Sequence, residues 1–420
     1  MSRISLVLAG ALAFAIPANA QPASSPARAS LAALVDAAVA SNPEIAAARA
    51  RHQAALERPA QERSLPDPLV SAGYAAAGKP YPGAGLGKEP MANIGVMVTQ
   101  EIPYPGKRGL RASIAARAAE AEAKQVEVVR LGVVSRVKQA YYRLAYATSV
   151  LEVLERNRDL LSTLLKVSEA RYGVGFAAQQ DVFKGQAELT LLELQRERMR
   201  QEQTTSEAAL NALVGRAPGT PIGTPDRIDL PPFTIALDSL LASARARAPM
   251  LLRDETMVAG AEASVQSALR DYKPDFAVSG GYFNQGSMPA TYEVRFDVVL
   301  PLQRGRRAAA VREQSALLGE ARATKSATER SLEARIQEDY GAAATSARLA
   351  GLYRDALLPQ VRLALESSTA SYQTGAVDFL SVLTNFSSLL EAEMRYYDEL
   401  SILHAAISRL EEMTGTGLVH

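Results

Sequence analysis

Most of the chain places its apolar residues at helical spacing, but four short windows alternate with period two. In the clearest, Tyr292, Val294, Phe296, Val298 and Leu300 alternate with Glu293, Arg295 and Asp297. An apolar row opposite a charged row predicts a strand with one dry face and one wet face. Ile94, Val96 and Val98 alternate with Gly95, Met97 and Thr99 in the same way. Val70, Ala72 and Tyr74, then Phe276, Val278 and Tyr282, mark the other two. The strands are expected at about 67–77, 93–103, 275–284 and 291–301, each of roughly 9–11 residues, the length of a tilted strand across a bilayer. Turn-rich segments at 78–90 and 284–289 join the members of each pair. Two hairpins on a soluble core would show a similar pattern, but the charged row on one strand fits a water-filled barrel better.

Each strand pair runs into a long helical stretch, about 107–171 and about 306–371, of ~65 residues and nearly 100 Å. Both stretches end at a Tyr-x-x-Gly turn, Tyr172-Gly173-Val174-Gly175 and Tyr372-Gln373-Thr374-Gly375. Glycine there can adopt the left-handed conformation that reverses the chain. The return arms, about 181–214 and 378–413, are shorter. Ascending segments begin at Asn42-Pro43-Glu44 and Ala248-Pro249, with proline in the first turn. An ascending segment and a return arm together fall about eight residues short of the long helix. The two short helices are therefore expected to stack end to end beside it, with 21–42, 216–248 and 414–420 forming a belt at the break.

The chain also says nearly the same thing twice. The two Tyr-x-x-Gly turns lie 200 positions apart (372 − 172), and that register holds to Leu213-Val214-Gly215 and Met413-Thr414-Gly415. Pro66-Asp67 matches Pro274-Asp275, and Ile102-Pro103 with Gly106-Lys107-Arg108 matches Leu300-Pro301 with Gly305-Arg306-Arg307. A unit of this length exceeds any solenoid repeat. It marks two structural halves, 21–220 and 221–420. Each half supplies two strands, and four strands from one chain cannot close a barrel without open edges. Three copies would give ~12 strands and a lumen, where two copies give ~8 and a filled interior.

Composition narrows the setting. Residues 1–20 read as a signal peptide: Arg3, an apolar stretch over 4–16, and Ala18-Asn19-Ala20 before Gln21. Cysteine is absent, so neither a disulfide nor a lipid-bearing cysteine is expected. With 46 basic and 45 acidic residues, the chain shows no charge excess suited to nucleic acid. Gly83-Ala84-Gly85-Leu86-Gly87-Lys88 has the wrong spacing for a phosphate loop, and Glu89 stands where a Mg²⁺-binding hydroxyl belongs. The histidines His52, His404 and His420 are scattered, and the methionines form no cluster. No catalytic, metal or cofactor site is expected.

With the duplicated halves, Asn42-Pro43-Glu44, Pro66-Asp67-Pro68, the two Tyr-x-x-Gly turns, and Asp181-Val182 six residues after Gly175, the chain resembles the TolC-type outer-membrane efflux ducts. The resemblance implies a mainly α protein with a β-barrel part: a homotrimer whose barrel of ~12 strands continues as an antiparallel helical tunnel through the periplasm. It also implies docking on a periplasmic adaptor (membrane fusion) protein and an inner-membrane pump of the resistance-nodulation-division type. Gln100-Glu101-Ile102-Pro103-Tyr104-Pro105-Gly106-Lys107-Arg108 is similar to the heavy-metal (cobalt–zinc–cadmium) branch, which makes divalent cations one candidate cargo. A duct for type I protein secretion and a periplasmic coiled-coil adaptor are the alternatives.

On this resemblance Tyr172, Gly175, Tyr372 and Gly375 close the periplasmic entrance and meet the adaptor, besides making a sound helix reversal. Asp181 matches an entrance-lining aspartate, whose ring of carboxylates would enrich cations; a plain N-terminal carboxylate facing the helix dipole is the other reading. The acidic positions expected after the second turn are Ser381 and Thr384, with Asp378 as a nearby substitute. Lys107, Arg108, Arg306 and Arg307, where strands meet helices, are expected to contact lipid headgroups.

Overall fold

A computed structural model describes residues 28–76 and 81–418; the signal peptide expected at 1–20 lies outside them. Two short helices, α1 (Leu31–Ser41) and α2 (Pro43–Leu56), and the stub α3 (Arg58–Arg63) lead to strands β1 (Leu69–Ala75) and β2 (Asn93–Ile102). The chain continues through α4 (Lys107–Gly173) and α5 (Gln179–Leu213). Helices α6 (Leu237–Arg247) and α7 (Pro249–Arg270) precede β3 (Asp275–Gln285) and β4 (Met288–Val299). Then come α8 (Arg304–Leu352), a π-turn at Tyr353–Leu357, α9 (Leu358–Thr374) and α10 (Phe379–Thr414).

The strands form one antiparallel sheet in the order β1-β2-β3-β4. Strand β1 is shorter than the 67–77 expected, and β4 starts earlier than 291. The hairpin between β3 and β4 needs only Gly286 and Ser287, with Gln285 paired to Met288. Pro289 read as a turn residue, but β4 already includes it as its second residue.

Helix α4 is 67 residues long, about 100 Å. Its stripe of buried residues changes partner along the way. Below mid-height Val150, Leu154 and Leu161 pack with Leu192 of α5 and Phe379, Phe386 and Leu390 of α10. Nearer the middle Val133, Val137 and Leu144 meet Leu34 and Ala38 of α1 and Leu210 of α5.

The short helices do stack end to end. Asn42, 3% exposed, accepts bonds from the Glu44 and Ile45 N–H groups through Oδ1 and donates from Nδ2 to Leu213 O at 2.9 Å. One side chain thus caps α2 and ties it to the end of α5. In the second half Gly415, at φ +68°, lies against Arg247 O and Pro249, so α10 ends where α7 begins.

Segments flanking these joins wrap mid-height. Ala29 bridges Pro225. The Tyr141 hydroxyl donates to Ala29 O at 3.1 Å and accepts from the Asp226 N–H at 2.9 Å. His404 is buried here, stacked on Tyr142 with ring centres 4.0 Å apart, and its Nε2 donates to Asp229 O at 2.9 Å. Burial pushes the His404 imidazole below its ordinary value, outweighing the Asp229 carbonyl, and pushes the Tyr142 hydroxyl up to about 12. A folded-state pKa below the unfolded one means that His404 contributes stability above about pH 6.5 and loses it as pH falls through the folded-state value. The thermal midpoint should therefore drop between pH 7.5 and 5, and His404→Phe should flatten that slope in a pH series of melts.

The second long column is not one α-helix. Pro359, in the first turn of α9, lacks an N–H, and its ring would crowd the Asp355 carbonyl in a regular helix. The chain inserts a π-turn just before it, with the Leu358 N–H donating to Tyr353 O. The sequence reading of an unbroken helix over about 306–371 is corrected at this point.

Candidate functional site

The sheet puts most of its apolar residues on one face. On one face Val96 pairs with Tyr282 and Tyr282 with Tyr292, while Val278 pairs with Phe296. These side chains stand open: Val294 is 85%, Val70 67% and Phe296 63% exposed. On the opposite face Thr99 and Ser279 hydroxyls meet at 2.9 Å, and Arg295 reaches Asp297 at 3.1 Å and Glu293 at 3.8 Å. No single helix among the described residues is long and apolar enough to cross a membrane. The large unpartnered apolar surface belongs to the sheet.

At the other end of the helical column the two reversals share a backbone and differ in their surroundings. Gly175 and Gly375 take φ +82° and +80°, and each N–H returns to a tyrosine carbonyl, Tyr172 O and Tyr372 O, at 3.0 Å. Tyr172 is 45% exposed beside Val174 and Phe176 at 69% and 76%, whereas Tyr372 is 3% exposed and packs on Phe379 at 5.3 Å.

The difference comes from Arg171, which the sequence reading did not single out. Its Nη1 donates to Tyr372 O at 2.5 Å and Gln373 O at 2.8 Å, and its guanidinium lies 4.8 Å over the Tyr372 ring. The first reversal thus holds the second. The signal was present in the repeat, since the position matching Arg171 is Ser371.

Asp378 caps α10, accepting from the Ser381 N–H at 3.0 Å and the Ser381 hydroxyl at 2.5 Å. Those two bonds hold its carboxyl below the usual carboxylate range. Asp181 lies in the first turn of α5, whose N-cap Ala178 offers no side-chain acceptor. The two aspartates therefore sit at the same end of the column, and Asp378 is already engaged in local structure.

Where sheet meets helices, the basic residues divide. Lys107 is 4% exposed, and its Nζ lies 2.8 Å from Asp275 Oδ2 and 3.0 Å from Lys273 O. The headgroup contact expected of Lys107 is corrected: its ammonium turns inward to hold the α7–β3 turn. Arg307 supports the same turn, donating to Asp271 O at 2.8 Å. Arg108 is half-buried with one bond to Arg63 O, and Arg306 is exposed. Among the described residues no group of three or more His, Cys, Asp or Glu side chains could hold a metal.

A helical column carrying a sheet with one apolar open face is the architecture of the outer-membrane channels. Residues 34–216 match the outer membrane efflux protein family, and the chain has the fold of the TolC-like channels. The outer-membrane channel OprN superposes with a TM-score of 0.79 at 20% identity, over 92% of this chain and 90% of that one. VceC from Vibrio cholerae gives 0.77 at 20% identity, over 92% and 96%. CusC, whose conformational changes accompany folding and transmembrane channel formation, gives 0.74 at 15% identity, over 97% and 99%. No curated protein sequence matches.

Proposed function

We propose that this chain is one third of a passive exit duct through the outer membrane, serving an efflux system. The observation that carries the reading is the sheet: a mainly apolar face, a mainly polar face, and edge strands β1 and β4 paired on one side only. Open edges are not tolerated in lipid. β4 of one copy joining β1 of the next satisfies them, and three copies close ~12 strands around a water-filled lumen. The halves 21–220 and 221–420 then give each chain two sectors of the tube.

The reading predicts a trimer that leaves purified outer membranes only with detergent. A soluble monomer in the periplasmic fraction would overturn it.

The reversals form the periplasmic entrance on this reading, with the apolar surface of Tyr172, Val174 and Phe176 meeting a periplasmic adaptor fed by an inner-membrane pump. The Arg171 bonds to the second reversal hold the entrance narrow. Charge-assisted bonds of this kind are worth about 1–3 kcal/mol at an exposed site, enough to shift a closed population about 5–150-fold. Arg171→Ala should raise single-channel conductance severalfold in planar bilayers; wild-type conductance would remove the arginine from gating.

Asp181 near that entrance favours cations, with divalent metal ions as one cargo class. Asp181→Asn combined with Asp378→Asn should lower the cation preference of the reversal potential. Unchanged selectivity would mean that neither carboxylate lines the path.

A further inference from the structure

Below the sheet, α7 and α8 enclose a groove of about 240 Å³ lined by Asp254, Met257, Ala261, Leu317, Glu320 and Thr324. Asp254 is 2% exposed. Its Oδ1 accepts from Arg253 Nε at 2.9 Å and Nη2 at 2.7 Å, while Arg253 Nη1 donates to Gln125 Oε1 at 2.8 Å. The second oxygen, Oδ2, is buried and has no hydrogen-bond partner. A buried carboxylate oxygen without a donor is unfavourable, so a site that leaves one open needs a reason.

Three of the cations nearby are engaged elsewhere. Lys325 faces Glu255 at 3.8 Å and Arg322 pairs with Glu262 at 2.8 Å. Arg51 and Arg117 line the adjoining cavity of about 640 Å³, which shares Asp254, Met257 and Thr324 with the groove, and Arg117 is bonded to Glu120. The groove itself has no basic residue. It combines two carboxylates and a hydroxyl with the apolar surface of Met257, Ala261 and Leu317.

We infer that this groove binds a small organic ammonium ion, with an N–H directed to Asp254 Oδ2 and an apolar body against Met257 and Leu317. Glu320 at the rim adds negative charge that favours a cation. A metal ion suits the site poorly, because two carboxylates beside a thioether and alkyl groups do not make the oxygen-rich shell of a hard cation. The inference does not rest on the duct reading, since it concerns a groove between two helices of one chain.

The test is binding, not conductance. Fluorobenzylammonium, fluorobenzyl alcohol and fluorobenzoate are titrated, by fluorine NMR, into the full chain in lipid nanodiscs, with empty nanodiscs as reference. The ammonium should bind about tenfold or more tightly than the alcohol, as a charge-assisted bond predicts, and the benzoate should not bind. Asp254→Asn should erase that preference. Thr324→Trp, on the exposed wall, should fill the groove and abolish binding with all charges intact; it decides the matter if Asp254→Asn does not assemble. Equal binding of the three probes, no binding, or wild-type affinity in Thr324→Trp would overturn the site.

Discussion

Gly95→Val should prevent the sheet from assembling. Gly95 pairs with Gly73 on β1 and with Phe283 on β3, and the Phe283 ring lies across it. A Cβ at this position would stand 2.2 Å from Phe283 Cδ1 and 2.5 Å from the Tyr282 carbonyl oxygen. The ring could rotate away; the carbonyl belongs to the neighbouring strand and cannot move without breaking the ladder. Overpacking of this kind costs roughly 3 kcal/mol or more, concentrated on the β2–β3 junction that joins the two halves. Gly280→Ala on β3 is the control, because nothing lies within 4 Å of a Cβ there. Loss of the detergent-resistant oligomer on a semi-native gel in the first variant and its persistence in the second is the expected result. A Gly95→Val protein that keeps its oligomer would show that the strands pair differently.

Lys107→Met should cost nearly as much, by another route. The methionine fills the same space but leaves Asp275 without its cation and Lys273 O without a donor. Removing one partner of a fully buried pair costs about 3–5 kcal/mol. Asp275 is 39% exposed on its side chain, so water recovers part, and roughly 2–3 kcal/mol is expected. Asp275→Asn added to Lys107→Met should recover some of the loss, because an amide needs no cation and its oxygen can still accept the Tyr104 N–H, which now lies 2.7 Å from Asp275 Oδ1. Arg108→Met, next in sequence but half-buried with one bond to a backbone carbonyl, should cost no more than about 1 kcal/mol. Guanidinium unfolding of the four proteins would separate these outcomes; equal effects at 107 and 108 would mean that the inward ammonium does not hold the junction.

The elements that announced themselves in the sequence were those whose pattern repeats within one segment. Tyr292, Val294 and Phe296 alternate with charges on one strand, and the long helices end at glycines that must take positive φ. Such signals are local, so the strands, the reversals and the end-to-end stacking of short helices were legible without any contact information. What depended on a partner was not. Lys107 and Arg108 are indistinguishable as letters, and only the position of Asp275, 168 residues away, turns one inward. Arg171 looked like the end of a helix until the second reversal was placed beneath its guanidinium. Pro359 carried a local signal that was overlooked, because a long periodic stretch on both sides argued for continuity while one missing N–H argued against it.

The π-turn at Tyr353–Leu357 makes the two long struts mechanically unequal. The first is a single rod of 67 residues, so a push on its tip travels undivided to the strand junction at Lys107. The second has a soft joint, and only the 17 residues of α9 lie between that joint and its tip. A sideways load there is absorbed as rotation about the joint, and the sheet above feels little of it. Since Arg171 fastens the rigid rod to the jointed one, releasing that single side chain frees the lower segment to swing while the upper column stays where it is.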